Sequence, residues 1–208
     1  MKGLFISIEG ADACGKSTQI TKIYEYLSEK YEVVMTREPG GTPISEKIRN
    51  IVLDNNNTEM KAETEALLYA AARAQHYLEK IKPAIEAGKI VLCDRFIHSS
   101  LVYQGIGRNL GIEEVKAIND FGIHQSMPDI VLYFDVDYAI AQERMESRGG
   151  KDRLDQEPEA FHRKIFDGYK EVLNKYSDHV LLIDANGDIE TVFENTKEKL
   201  RVYLENLG

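Results

Sequence analysis

The chain has 208 residues, 43% of them hydrophobic and 29% charged, enough for one well-buried α/β core and with no composition break to divide it. Against 26 Lys and Arg stand 35 Asp and Glu, a formal net charge of −9, which argues against a tract of nucleic acid as partner; a nucleotide would need locally placed cations. No apolar run reaches transmembrane length, the N-terminus lacks a signal layout, and Cys14 and Cys93 lack the spacing of a disulfide framework or zinc site, so a cytoplasmic protein without membrane contact is expected.

Leu4–Glu9 is a short apolar run of the kind buried on both faces of a sheet. It feeds Gly10-Ala11-Asp12-Ala13-Cys14-Gly15-Lys16-Ser17, which fits G-x-x-x-x-G-K-[ST] and opens a helical stretch to Leu27. The glycines let successive N–H groups turn inward, and the positive end of the helix stands behind them. Gly10 to Thr18 is therefore the expected cradle of a nucleoside triphosphate, with Lys16 on its β/γ-phosphates and the Ser17 hydroxyl on Mg²⁺.

A strand is expected over Glu32–Thr36, followed by the turn Arg37-Glu38-Pro39-Gly40-Gly41 at the strand end where open α/β sheets bind ligands. Helices follow at Ile44–Leu53 and Ala62–Ala87, the second capped by Gly88. Within it Tyr69 and Arg73 stand four apart, hence on one face, suited to a base or to simple helix packing. The strand Ile90–Asp94 ends on a carboxylate placed to hold Mg²⁺, and its neighbour Arg95 has the planar fork that bridges phosphates; the plainer alternative is an Asp–Arg pair tying a loop. Ser99-Ser100-Leu101-Val102-Tyr103-Gln104-Gly105 then concentrates hydroxyl and amide groups where a nucleoside could be read.

Further helices are expected at Ile112–His124, Tyr138–Ser147, Glu159–Tyr176 and Ile189–Leu207, and further strands at Asp129–Asp135 and His179–Ile183. Residues 148–157 have no period, are dense in charge and open on two glycines: a solvated loop, or on this scaffold a mobile lid. Strand–helix alternation of this kind predicts a three-layer α/β sandwich with a five-stranded parallel sheet, in one domain over 1–208.

The ordered set Glu9-Gly10…Gly15-Lys16-Ser17, Thr36-Arg37-Glu38-Pro39-Gly40-Gly41, Ala71-Ala72-Arg73, Asp94-Arg95-Phe96, Ser99-Ser100-Leu101-Val102-Tyr103-Gln104 and Arg153-Leu154-Asp155 resembles the bacterial thymidylate kinases. The resemblance implies transfer of the γ-phosphoryl of ATP to dTMP with Mg²⁺, by a homodimer. It also implies roles by position. Tyr69 matches the aromatic stacked on thymine, Arg73 and Gln104 match contacts to the base, and Ser100 lies in the serine pair lining its pocket. Tyr103 matches the ring under the sugar that leaves no room for a 2′-hydroxyl. Arg95 and Arg49 match contacts to the dTMP phosphate, while Asp12 and Glu38 match the acids near acceptor and metal. Family members of one kind carry an Arg in the P-loop where Ala13 stands here; the others supply that charge from the lid. Arg148, Lys151 and Arg153 are then the candidates, with Arg153 favoured by its place in Arg-Leu-Asp. Phe96, where Tyr is common, and Cys14 beside Gly15 are minor departures. His98 receives no role and reads as a surface residue.

The main rival is a different small-molecule P-loop kinase, for another nucleoside monophosphate or for a deoxynucleoside. A deoxynucleoside kinase would share Asp94-Arg95 but not Arg-Glu-Pro-Gly-Gly with Tyr103-Gln104. A GTP-binding switch wants Asn-Lys-x-Asp, and Asn174-Lys175-Tyr176-Ser177 ends on the wrong residue. A partition-type ATPase wants a second lysine early in the P-loop, and Ala11 to Cys14 hold none.

Overall fold

The structure, a computed structural model, describes residues 3–147 and 152–206. Five strands, β1 (Leu4–Glu9), β2 (Val33–Arg37), β3 (Ile90–Asp94), β4 (Ile130–Asp135) and β5 (Val180–Asp184), form one parallel sheet in the order β2-β3-β1-β4-β5. Between them run α1 (Lys16–Ser28), α2 (Pro43–Leu53), α3 (Ala62–His76), α4 (Lys82–Glu86), α5 (Ile97–Ser100), α6 (Ile112–Ile123), α7 (Tyr138–Ser147), α8 (Glu159–Tyr176) and α9 (Ile189–Glu205).

Successive strand residues feed opposite faces, so one strand serves two cores. Phe5, Val91, Val131 and Tyr133 pack with Leu101, Val102, Ile123 and Tyr169. Leu4, Ile6, Ile8, Leu92, Leu132 and Phe134 pack with Ile20, Ile23, Leu27 and Leu200 on the other side. The layers are those expected from the alternation.

Two helical details differ from the expected pattern. The stretch 62–87 is not one regular helix: a π segment, Tyr77–Ile81, separates α3 from α4. Pro83 lacks an N–H and its ring crowds the preceding turn, which favours a widened turn just upstream. The hydroxyl- and amide-rich run after Arg95 is helical throughout, as α5 and a π segment over Leu101–Gly107. Its serines and glycines have low helix propensity, but Ile97, Leu101 and Val102 are completely buried, and that packing decides.

Register aligns the functional strand ends. Ile8 pairs with Asp94, and Arg37 pairs with Asp94 from the other side. Backbone bonds continue past the strands: Arg95 N–H donates to Ile8 O at 2.9 Å and Glu38 N–H to Asp94 O at 2.9 Å. The P-loop, the Arg37–Gly41 turn and Asp94-Arg95 therefore leave the sheet together.

Candidate active site

A cleft of about 620 Å³ opens at these carboxyl ends, within the range of small-molecule sites. The P-loop forms one wall. Gly10 has φ +152, and a Cβ there would meet Phe134 O at 2.8 Å, so only glycine permits this close approach. Gly15, at φ +95, turns the chain into α1. Lys16 Nζ bends over the loop to Gly10 O at 2.9 Å and Ala11 O at 2.7 Å. Asp12, Ala13, Gly15, Lys16, Ser17 and Thr18 line the cleft; Gly10, Ala11 and Cys14 form the loop without lining it.

Arg95 also lines the cleft. Its φ of 67 is a left-handed conformation that costs a non-glycine residue of order 1 kcal/mol or more, the kind of strain found at functional sites. Nη1 donates to Gly10 O at 3.1 Å, Ser99 Oγ at 3.1 Å and Tyr169 OH at 2.9 Å, while Nη2 donates to Asp12 Oδ1 at 2.5 Å. Tyr103 OH donates to Asp12 Oδ2 at 2.5 Å. Burial opposes ionisation of Asp12, but the charges of Arg95 and Lys16 and the Tyr103 bond hold its carboxyl below the usual range.

Behind this group lies Glu9, completely buried, accepting from Phe96 N–H at 2.8 Å and Ser99 Oγ at 2.7 Å. Burial dominates, and its pKa is raised to about 7 despite those bonds and the charge of Arg95. His98 is not at the surface. Its ring is fully buried between α5 and the end of α8, with Nε2 at 2.8 Å from Ser177 Oγ and 3.3 Å from Tyr176 O. Burial lowers its pKa to about 4, so it is neutral near pH 7.

Glu38, Arg49, Tyr69, Arg73, Ser100, Tyr103 and Gln104 all line the same cleft, as does Asp94. Arg73 is a buried hub: Nε donates to Glu38 Oε2 at 2.6 Å and Nη1 to Ser100 Oγ at 2.9 Å and to Asn119 Oδ1, and Nη2 to Phe96 O at 3.2 Å. Among the described residues one Nη2 hydrogen is left over. Glu38 Oε1 also lies 2.9 Å from His76 Nδ1, and His76 Nε2 lies 2.7 Å from Thr36 Oγ1. Arg49 Nη1 donates to Pro39 O at 2.8 Å.

Asp94 Oδ1 is buried with no hydrogen-bond partner among the described residues, and Ser17 lines the same cleft. An orphaned carboxylate oxygen beside a P-loop hydroxyl suits a hard cation that takes its remaining ligands from phosphates and water. Among the described residues no cluster of three or more His, Cys, Asp or Glu offers an alternative all-protein site.

Arg153 is not brought to the P-loop. Nε donates to Val52 O at 2.9 Å and Nη2 to Glu65 Oε2 at 2.6 Å, and it does not line the cleft, although Asp152, Leu154 and Asp155 do. Arg148 and Lys151 lie outside the described residues. Sequence reasoning missed Arg144, which lines the cleft and reaches Ala185 O at 3.3 Å. It also missed Glu65 and His76, buried charged or polar residues on the face of α3 that carries Tyr69 and Arg73. The spacing of 65, 69, 73 and 76 on one helical face was the signal available.

A doubly wound sheet with a P-loop and, sharing its cleft across one arginine, a wall of aromatic, hydroxyl and amide side chains defines the class of P-loop kinases that act on small phosphorylated acceptors. A family model described as thymidylate kinase matches residues 8–196. A thymidylate kinase of Finegoldia magna is 53% identical over 199 residues, covering 95% of this chain and 98% of that protein. One from Geobacillus sp. (strain WCH70) is 51% identical, covering 94% and 95%. Among solved structures, thymidylate kinase from Ehrlichia chaffeensis superimposes with a TM-score of 0.78 at 31% identity, covering 96% of this chain and all of that one. The chain belongs to the thymidylate kinase family.

Proposed function

We propose that this enzyme transfers the γ-phosphoryl of ATP to dTMP, giving dTDP, with 1–208 acting as one catalytic unit and 148–157 as its lid. The observation that carries the reading is Arg95, a single guanidinium bonded at once to Gly10 O and Asp12 of the P-loop and to Ser99 Oγ on the helix that presents Ser100 to the cleft. ATP lies on Gly10 to Thr18, with Lys16 swinging from the loop carbonyls to the β/γ-phosphates. The thymine stacks on Tyr69, with the remaining Arg73 hydrogen and the Gln104 amide on its edge and Ser100 beside it. Tyr103 lies under the sugar, Asp12 and Glu38 near it, and Arg95 with Arg49 holds the acceptor phosphate.

Phosphoryl transfer passes through a loose transition state with charge on its equatorial oxygens, so the protein's work is alignment and charge stabilisation. Arg95 and Lys16 approach the moving group from the acceptor and donor sides. Mg²⁺, when bound at Ser17 and Asp94, neutralises phosphate charge. Ala13 leaves the P-loop with Lys16 as its one cation. The lid supplies the rest on closing, and closure keeps water from taking the phosphoryl.

We read the enzyme as a cytoplasmic homodimer. Cys14 and Cys93 are both free, as in a reducing compartment. Leu67, Ala71 and Leu78 follow helical spacing along an exposed side of α3 and its π extension, and Phe121 on adjacent α6 is 90% exposed; an apolar patch of this kind suits a second copy. No helix among the described residues is long and apolar enough to cross a membrane. The test is ADP release with dTMP, dUMP, dCMP, dGMP and dAMP in turn: dTMP should be the preferred acceptor by a wide margin, and preference for any purine would overturn the reading.

A further inference from the structure

Glu65 is 1% exposed, and among the described residues every group bonded to its carboxylate is a donor. Gln104 Nε2 donates to Oε1 at 2.9 Å, Arg108 Nη2 to Oε2 at 3.0 Å, and the lid residue Arg153 Nη2 to Oε2 at 2.6 Å. Burial pushes the Glu65 pKa up, but the bonds from Arg108, Gln104 and Arg153 outweigh it, so the carboxyl stays below its ordinary range and ionised. Arg108 pairs in turn with Glu157 at 2.6 Å, which leaves two anions and two cations in the cluster.

An ionised carboxylate can only accept. The primary amide of Gln104 has two ends of nearly equal shape, one donating and one accepting, and nothing but its partners decides which end faces which way. Facing Glu65, the amide must present its NH₂, which turns the carbonyl oxygen away. Gln104 lines the cleft beside Tyr69, Arg73, Ser100 and Tyr103, and among the described residues no donor engages its Oε1. The Watson–Crick edge of thymine carries a donor at N3, whereas cytosine carries an acceptor there. An amide with its oxygen toward the base matches the first and repels the second.

We propose that Glu65 is a specificity-determining positioning residue: by accepting from Gln104 it fixes the amide with its oxygen toward the base, so that the pocket takes a pyrimidine with a protonated N3 and rejects cytosine. The inference rests on the reading of Gln104 as a contact to the base. Because Arg108 and Arg153 hold the same carboxylate, the orientation is set before substrate arrives, and the root of the lid is tied to the residue that sets it.

Glu65→Gln keeps the shape but lets residue 65 donate or accept, which frees the Gln104 amide to turn over. The expected result is a KM for dTMP raised about tenfold, a dTMP-to-dCMP ratio of kcat/KM narrowed about tenfold or more, and an unchanged KM for ATP. Simple support of α3 would lower activity toward both acceptors alike and leave that ratio where it was. Gln104→Ala is measured alongside. If it narrows the ratio and Glu65→Gln does not, the inference falls while the base contact stands. If Gln104→Ala leaves the ratio unchanged, the base contact itself falls, and the inference with it. Should Glu65→Gln fail to fold, the ¹⁵N-labelled unaltered enzyme decides: the Gln104 side-chain amide should exchange slowly with solvent before dTMP is added, and a freely exchanging amide would overturn the proposal.

Discussion

Arg95 Nη2 donates to Asp12 Oδ1 at 2.5 Å, so the arginine at the end of β3 and the carboxylate inside the P-loop are paired across the cleft. An entering phosphate competes with Asp12 for that guanidinium, and its gain is set by how far the charge on phosphate exceeds that of one carboxylate. An interaction of this sort strengthens as charge moves onto the transferred oxygens.

Arg95→Ala is therefore expected to lower kcat by a factor on the order of a hundred or more, with a small change in the KM for ATP. Steady-state kinetics with each substrate varied in turn checks this. A rise in the KM for ATP alone would remove Arg95 from the transition state.

Tyr103 stands with its ring 5.2 Å from the Arg95 guanidinium and its hydroxyl on Asp12. Tyr103→Ala should open space for a 2′-hydroxyl and narrow the preference for dTMP over its ribose counterpart by about tenfold. Tyr103→Phe keeps the ring and should keep the preference. Competition between the two acceptors gives the ratio directly, and unchanged discrimination in the alanine variant would take Tyr103 off the sugar.

Arg153 is engaged by Glu65 and Val52, away from the P-loop. Its loss should raise the KM for dTMP more than it lowers kcat, while Arg148→Ala combined with Lys151→Ala should cut kcat by roughly three orders of magnitude with both nucleotides still bound. Ala13→Arg in that double variant is expected to restore part of the rate from the P-loop side. Single-turnover rates and nucleotide titrations separate these effects. A thousandfold loss of kcat in Arg153→Ala with an unchanged KM would mean that lid closure breaks the Glu65 pair and delivers this arginine.

Glu9 supplies a pH dependence. Its folded pKa of about 7 lies above the ordinary 4.5, so the fold favours the protonated form. The resulting sign is that stability is undiminished below pH 4.5, falls as pH rises toward 7, and stays reduced above it. Glu9→Gln should flatten that fall when urea midpoints are compared from pH 5 to pH 8, with a difference of order a few kcal/mol at the alkaline end. His98 acts in the opposite sense: its pKa of about 4 means stability is present above its ordinary 6.5 and lost as pH falls below it. An equal slope in unaltered enzyme and Glu9→Gln would show that Glu9 is ionised throughout.

What the sequence determined by itself is what short-range chemistry dictates. Gly10 to Ser17 must curl because only that pattern combines a tight turn, inward N–H groups and a helix start. The apolar runs must be strands of a two-sided parallel sheet because each is too short for a helix and apolar on both faces. Asp94 and Arg95 were legible at a strand end, and register alone then brings them beside the P-loop. The tertiary structure decided where charge is buried and which way each polar side chain faces. His98 reads along the chain as a surface residue, and helical spacing puts Glu65 and His76 on one face without saying that the face is buried; all three are buried because distant partners, Arg108 and Arg153, Glu38 and Thr36, Tyr176 and Ser177, close over them. Arg153 has the same motif whether it faces phosphate or Glu65. Local sequence sets which groups a segment can offer, but desolvation and pairing energies depend on what long-range packing places within about 3 Å, and only the folded chain fixes that.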